Sequence, residues 1–567
     1  MDIVDKFDDI IIGAGGAGLT TAIFLAKSSR KVVVISKSLP YLSHTSAAQG
    51  GINANFGNQL EDDWKWHAYD TIRGSDWLAD QDAVEILCSK ANSAVNFLSE
   101  IGVNFDKDSS NKILQKKYGG QTTYYGKGDL ALRACSVRDR TGAAMIESLY
   151  KEAIKNGVIF INYNLVIDLI IENNNYVGCT SYDITSGKIS ILQSANLVIA
   201  TGGFSCIYQE NTASKTLTGD GLYLLSKKSY ALKDMEFIQF HPTSMKGTGI
   251  LVSETARSIG GYLINDSHTR FMSKYAPKYL ELAPRDIVSK AISQELLKSN
   301  NIYLDLSHVG PDQIDSKLGY VAQACRKFIN KDIKNELIPI APAAHYTMGG
   351  IPTNSSCAVL DIKNNCIIEG LYAVGEAACL SVHGANRLGC NSLLDIVVFG
   401  IECAKSISQS KRERHNTVIR EDYLNNTFTP ESDKNTNQKK LEVQKICTEY
   451  LSITKNEADI IHAIDKLNSI KIPDKLPKPI SSWDIDFINS FELHSMLLCA
   501  KHVAHSSLSR KESRGSHYRS DFSERDDKNY QKHSYSINLG DKFEVFFAEV
   551  RTNTQNIDFF PPERRNY

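Results

Sequence analysis

The 567-residue chain is 42% hydrophobic and 23% charged, an ordinary globular balance with room for roughly three or four domains. Its 64 basic and 65 acidic residues leave a net charge of −1, and nothing here suggests a general nucleic-acid surface, which would need a clustered basic excess. No apolar run approaches the ~20 residues that span a bilayer. The acidic start "MDIVDKFDDIIIGAG" leads to the expectation of no secretory or transit peptide here, either because the protein stays where it is made or because this is a mature form.

The first predicted unit, "DDIIIGAGGAGLTTAIFLAKSSRKVVVISK" (8–37), reads as strand, glycine turn, helix and strand. Gly13, Gly15 and Gly18 set out a G-x-G-x-x-G turn with Ala14, Gly16 and Ala17 between them, and Leu19, Ala22, Ile23 and Ala26 recur at helical spacing. This is the βαβ dinucleotide unit, with a pyrophosphate expected at the helix N-terminus. Ser36 and Lys37 stand where a ribose-binding acid would be, which argues against a plain NAD site.

"YLSHTSAAQGG" (41–51) follows, with a single histidine, His44, among Ser43, Thr45, Gln49, Gly50 and Gly51. Short side chains let the backbone approach a flat ligand. Two later stretches, "ANLVIATGGF" (195–204) and "GLYAVGEAA" (370–378), return to the same sheet, the second carrying Glu376. A nucleotide domain interrupted and resumed is typical of FAD enzymes. The segment 407–440 is polar and reads as a helix end and loop, 441 to about 508 is helical, and "YSINLGDKFEVFFAEVRT" is a small strand-containing tail.

The expected fold class is therefore α/β. A Rossmann-like FAD-binding domain (1–235 and 346–410) is interrupted by an α+β capping domain (236–345). A helical domain (411–510) and a small C-terminal domain (511–567) follow.

Three words carry candidate chemistry: "MEFIQFHPTS" with His241, "GILVSETARSIGG" with Ser253, Glu254 and Arg257, and "APAAHYTMGGIPT" with His345. Arg285 lies in "LAPRDIVSKAI" and Arg387 in "VHGANRLGCNSLLD". Singly, each has a plain structural account, such as a histidine before proline or an arginine on a solvated face. Together they suit a small dianion, because arginine forks carboxylates and stays charged. Glu254 and Arg257 share one face if helical and could pass protons.

At this point the chain resembles the flavoprotein subunits of succinate dehydrogenase (complex II) and quinol:fumarate reductase. The matching words run nearly end to end: "SHTSAAQGGINA", "GSDWLADQDA", "DRTGAAMIESLY", "LTGDG", "QFHPT", "HYTMGGIPTN", "VHGANRLGCNSLLD", "RKESRG" and "PPERRNY". The resemblance implies FAD bonded covalently through His44 to its 8α-methyl, raising the flavin potential enough to oxidise succinate to fumarate. It implies that Arg285 takes the substrate proton and passes it to Glu254 and Arg257. Arginine is an unusual base, ordinarily protonated below a pKa of ~12, so a neighbouring carboxylate is a chemical need.

By the same resemblance His241, Ser253, His345 and Arg387 hold the substrate carboxylates, with Tyr118, Gln49 and Gly50 beside them. Asp220, Glu376, Asn391, Ser392 and Leu393 join the turn residues in holding the cofactor. Three departures from the family pattern are Ser253 for threonine, Tyr118 for phenylalanine, and Ala256 where many members carry cysteine. None removes a catalytic group.

Twelve cysteines include no CxxC pair, so buried reduced thiols are expected and no metal site. Electrons would leave through a separate iron–sulfur subunit and its membrane anchor, in the tricarboxylic acid cycle and respiratory chain. The protein would sit peripherally on the inner membrane, on the cytoplasmic or matrix side. Fumarate reduction by the same site is the alternative. An L-aspartate oxidase lacks the tethering histidine, and a non-catalytic flavin scaffold would not need Arg285, Glu254 and Arg257 together.

Overall fold

The computed structural model describes residues 7–410, 412–413, 428–429, 435–540 and 542–565. The polar loop expected after Ser410 lies mostly outside the described residues, as do Asn566 and Tyr567.

The opening unit folds as its pattern predicts. Asp9–Ile12 pairs in parallel with Val32–Ser36, Ile12 opposite Ile35, and the helix Gly16–Lys27 crosses between them. Every residue of both strands is buried, the signature of a parallel strand covered on two faces. Asn196–Ile199 pairs with Asp9–Ile12 and in turn with Cys366–Ala373, both in parallel. Ile12, Ile35, Ile199 and Ala373 thus end at one level. That shared carboxyl edge is where open α/β sheets bind ligands.

The capping insertion is an antiparallel sheet in the order Ile238–Met245, Ile338–Thr347, Ile302–Asp305, Tyr262–Asn265. It has its own core, with Leu263, Val288, Ile292, Leu304 and Ile340 fully buried, and the helix Arg285–Leu296 lies against it. The strand Ile338–Thr347 continues past the boundary expected at 345, because Ile238 pairs with Thr347 and the sheet ends only there.

Helices Thr436–Tyr450, Glu457–Ser469 and Ile485–Ser509 make the helical region. The tail does not close on itself. Its hairpin, Lys532–Asn538 with Phe543–Glu549, takes Leu232–Lys233 as a third strand. His533 is gripped there by Asp234 (2.7 Å) and Asp80 (3.1 Å). Beyond the hairpin the chain runs along the helices Trp64–Gly74 and Gln81–Ser89, where Phe560 exchanges backbone bonds with the Gln81 side chain. Among the described residues no helix is long and apolar enough to cross a membrane.

Candidate active site

A cavity of about 540 Å³ opens at the carboxyl edge of the sheet. Gly13 through Ala17, Ser36, Lys37, Ser43, His44, Thr45, Gln49, Asp220, Glu376, Ser392 and Leu393 line it. Its floor depends on missing side chains. Gly13 sits at φ +109°, and a Cβ there would lie 2.2 Å from the Ala200 carbonyl oxygen. A Cβ on Gly18 would lie 2.0 Å from the Gly13 oxygen, so Gly18 serves helix–strand packing and lies off the lining.

Gly51 and Asn391 also lie off the lining. A Cβ on Gly51 would meet the Cys135 carbonyl at 2.6 Å, and Asn391 is spent on a buried network with Asn53, His67 and Thr71. Gly50 faces Tyr118 instead, whose hydroxyl would be 3.5 Å from an added Cβ. All four residues, Gly18, Gly50, Gly51 and Asn391, were expected at the ligand, and each also has a packing or hydrogen-bonding role here.

The cradle fits FAD. The helix after the glycine turn has no N-cap side-chain bond and no acid in its first turn, and apart from the Gly16 amide, which donates to Thr45 Oγ1 (3.2 Å), its first N–H groups suit a pyrophosphate. Ser43 Oγ, Gln49 Oε1 and Thr201 Oγ1 line the cavity, buried and without a protein partner. Lys37 bridges Asp220 (2.8 Å) and Glu492 (3.0 Å). Despite burial, those carboxylates hold its ammonium above the ordinary lysine range. Glu376 is pushed up to about 7 by burial, although the Thr347 amide and hydroxyl both donate to it.

Three imidazoles connect the cradle to the arginine end. His44 and His345 have ring centroids 6.1 Å apart, and His345 and His241 5.1 Å. Burial lowers His44 to about 4 and, with the nearby arginines, drives His241 and His345 well below the usual histidine range. All three are neutral at pH 7. The Thr243 amide donates to His241 Nδ1 (3.2 Å), which leaves the proton on Nε2, a buried atom with no protein partner. His345 Nδ1 is held by the Thr212 hydroxyl at 2.7 Å.

Beyond them the predicted charged residues do meet. Glu254 occupies the N-cap position of the one-turn helix Thr255–Ser258, without a side-chain capping bond. Its Oε2 lies 3.3 Å from Arg285 Nε and 3.6 Å from Arg257 Nη2, while its Oε1 accepts from the Gly119 amide (2.9 Å). Burial would raise the Glu254 carboxyl, but Arg257 and Arg285 outweigh it and keep it below the usual range, hence ionised. Arg387 stacks over Tyr346 at 4.6 Å, and burial beside Arg285 lowers it to about 10. Two guanidiniums, Arg257 and Arg285, face one carboxylate. Ser253 Oγ accepts from the Thr255 amide (3.1 Å), and the Tyr118 hydroxyl is paired with Thr255 Oγ1 (3.0 Å).

Gln239 was missed by the sequence reading. Its Oε1 accepts from Arg285 Nη1 (3.1 Å) and Arg387 Nη2 (3.0 Å), and its Nε2 donates to Asn386 Oδ1 (2.9 Å). A signal was present, since Gln239 and His241 are two apart on one strand and so share a face. Glu492, the helical region's contribution to Lys37, had none.

Comparison with known proteins agrees with this geometry. The family model described as "FAD binding domain" matches residues 8–393, and "Fumarate reductase flavoprotein C-term" matches 440–567. The succinate dehydrogenase flavoprotein subunit of Rickettsia conorii is 40% identical over 99% of this chain and 98% of its own length. The 8-methylmenaquinol:fumarate reductase flavoprotein subunit of Wolinella succinogenes is 34% identical over 94% and 88%. A point-mutated E. coli quinol fumarate reductase chain superposes with a TM-score of 0.90 at 30% identity, covering 99% of each chain. The chain belongs to the FAD-binding flavoprotein subunits of the succinate dehydrogenase and fumarate reductase family.

Proposed function

We propose that this cleft oxidises succinate to fumarate. The observation that carries the reading is the convergence of Arg257 and Arg285 on Glu254 and of Arg285 and Arg387 on Gln239, with neutral His345 standing between His241 and the His44 that lines the FAD cavity. Guanidiniums that outnumber the carboxylate they contact suit the two carboxylates of a dianion.

Arg387, the His241 Nε2–H, His345 and the Ser253 hydroxyl hold the carboxylates, and Gln239 sets the spacing of Arg285 and Arg387. Bound FAD supplies a hydride acceptor. Arg285 takes the proton from the adjacent methylene carbon. It can accept that proton only while handing one on, and Glu254 and Arg257 stand in line to receive it. Arg257 Nη1 donates to the Glu281 carbonyl, which fixes the far end of the relay.

His44 is the proposed covalent tether. The Ser214 amide donates to its Nδ1 (3.3 Å), so Nε2 is the nitrogen available for a bond to carbon. An iron–sulfur subunit would take the electrons, and its membrane anchor would hold this chain peripherally at the inner membrane. The relatives' designation as subunits supports that assembly.

The same residues run in reverse reduce fumarate, and the Wolinella relative carries that activity in its name. Succinate-driven dye reduction measured beside fumarate-driven oxidation of reduced dye tests both directions. Catalysis of neither would reject the reading. For the tether, His44→Ser should retain FAD non-covalently, losing succinate oxidation and keeping some fumarate reduction. Flavin fluorescence that still travels with the denatured mutant chain would exclude His44.

A further inference from the structure

We propose that residues 551–565 form a strap, and that its Arg565 is a positioning residue for Arg285. This rests on the proposed function. Most of the strap is anchored on the first part of the FAD-binding fold. Arg551 pairs with Asp80 and Asp82, the amides of Gln555 and Asn556 donate to Glu85, and Phe560 packs edge-on against Tyr69 at 5.3 Å.

Arg565 reaches further. Its Nη2 lies 3.0 Å from Asp76 Oδ2 and 2.7 Å from Asp286 Oδ2, so one partly exposed guanidinium joins the FAD-binding fold to the cap. Burial would raise the Asp76 carboxyl, but Arg565, Arg514 and Arg525 hold it below the usual range, keeping the anchor ionised.

Asp286 is the residue after Arg285, in the first turn of the helix Arg285–Leu296. Its other oxygen accepts from Asn386 Nδ2 (3.2 Å). Asn386 Oδ1 accepts from Gln239, and Gln239 Oε1 accepts from both Arg285 and Arg387. A continuous chain of polar contacts therefore runs from Arg565 to the two arginines. A cavity of about 140 Å³ lined by Asp76, Gln239, Asp286 and Arg565 adjoins it, so packing alone does not fix this junction. Pulling Asp286 towards Asp76 sets how the first turn of the Arg285 helix sits over the site. Small misplacements of a reacting group cost large factors in rate.

The test uses the full chain loaded with FAD and compares Arg565→Gln, Arg565→Lys and Glu563→Gln. Succinate turnover is measured together with amide hydrogen exchange over 286–292. Arg565→Gln should lower kcat at least about tenfold with KM changed less than about threefold, and should speed exchange over 286–292. Arg565→Lys, a point charge without the fork, should fall between it and the unmodified chain. Glu563→Gln, on the same strap but bonded among the described residues to Tyr69 at 3.4 Å, should match the unmodified chain.

Unchanged exchange in Arg565→Gln overturns the proposal, as does wild-type kcat in either Arg565 variant. Should Arg565→Gln fail to load FAD, the lysine variant decides. If the unmodified chain does not oxidise succinate, the functional reading falls, and the exchange comparison alone judges the strap.

Discussion

At the cofactor end of the cleft the chain makes its site by withholding side chains. At the substrate end it packs three guanidiniums, a carboxylate and two imidazoles into a space where each is buried or nearly so. The floor of the cradle is backbone from one glycine turn, with Gly13 and Gly18 close against the next strand and each other. The arginine end draws Tyr118, Gln239, Glu254, Arg257, Arg285, His345 and Arg387 from the whole of the first 390 residues. Shape governs one end and charge balance the other. Substitutions at the first should act by steric exclusion and so affect folding and FAD loading. Substitutions at the second should leave FAD bound and act on turnover.

The sharpest way to break this contrast is Gly13→Ala. With φ at +109° and a Cβ 2.2 Å from the Ala200 oxygen, the change should cost more than about 4 kcal/mol and leave little FAD-loaded chain. Flavin absorbance of the purified protein and its thermal midpoint measure this. Normal loading would show that the cradle tolerates what its geometry forbids.

Next in size is Arg285→Lys, which keeps the charge and loses the planar fork facing Glu254 and Gln239. FAD should load normally while turnover drops by on the order of 10³, with KM within a few-fold. A loss carried mainly in KM would make Arg285 a binding group alone and blur the division between relay and clamp.

The smallest effect concerns thiols. Cys390 lies beside Tyr118, but burial pushes it up to about 12, and Ala256 puts no sulfur between Glu254 and Arg257. N-ethylmaleimide should therefore inactivate the enzyme slowly, with no protection by succinate, and mass mapping should find label mainly on the exposed Cys366. Rapid inactivation with succinate protection and label on Cys390 would reveal a thiolate that the charge balance does not predict.

The sequence by itself determined the nucleotide unit, the interrupted order of the FAD fold and the identity of most charged groups at the site. It could do so because Gly13, Gly15 and the alternation from strand to helix act over a few residues, where local sterics decide conformation. His44 was legible as the one reactive side chain in a run of small ones, and its role came from the resemblance. Tertiary structure alone decided the packing roles of residues within these words. Gly51 lies against the Cys135 carbonyl, and Asn391 bonds with Asn53 and Thr71 in the interior. It also decided that Gln239 joins two arginines 102 positions apart, that Glu492 closes on Lys37, and that Arg565 reaches Asp286. These are contacts between charged or amide groups far apart along the chain. Their partners follow from how sheet, cap and strap are stacked, and no local pattern of residues encodes that stacking.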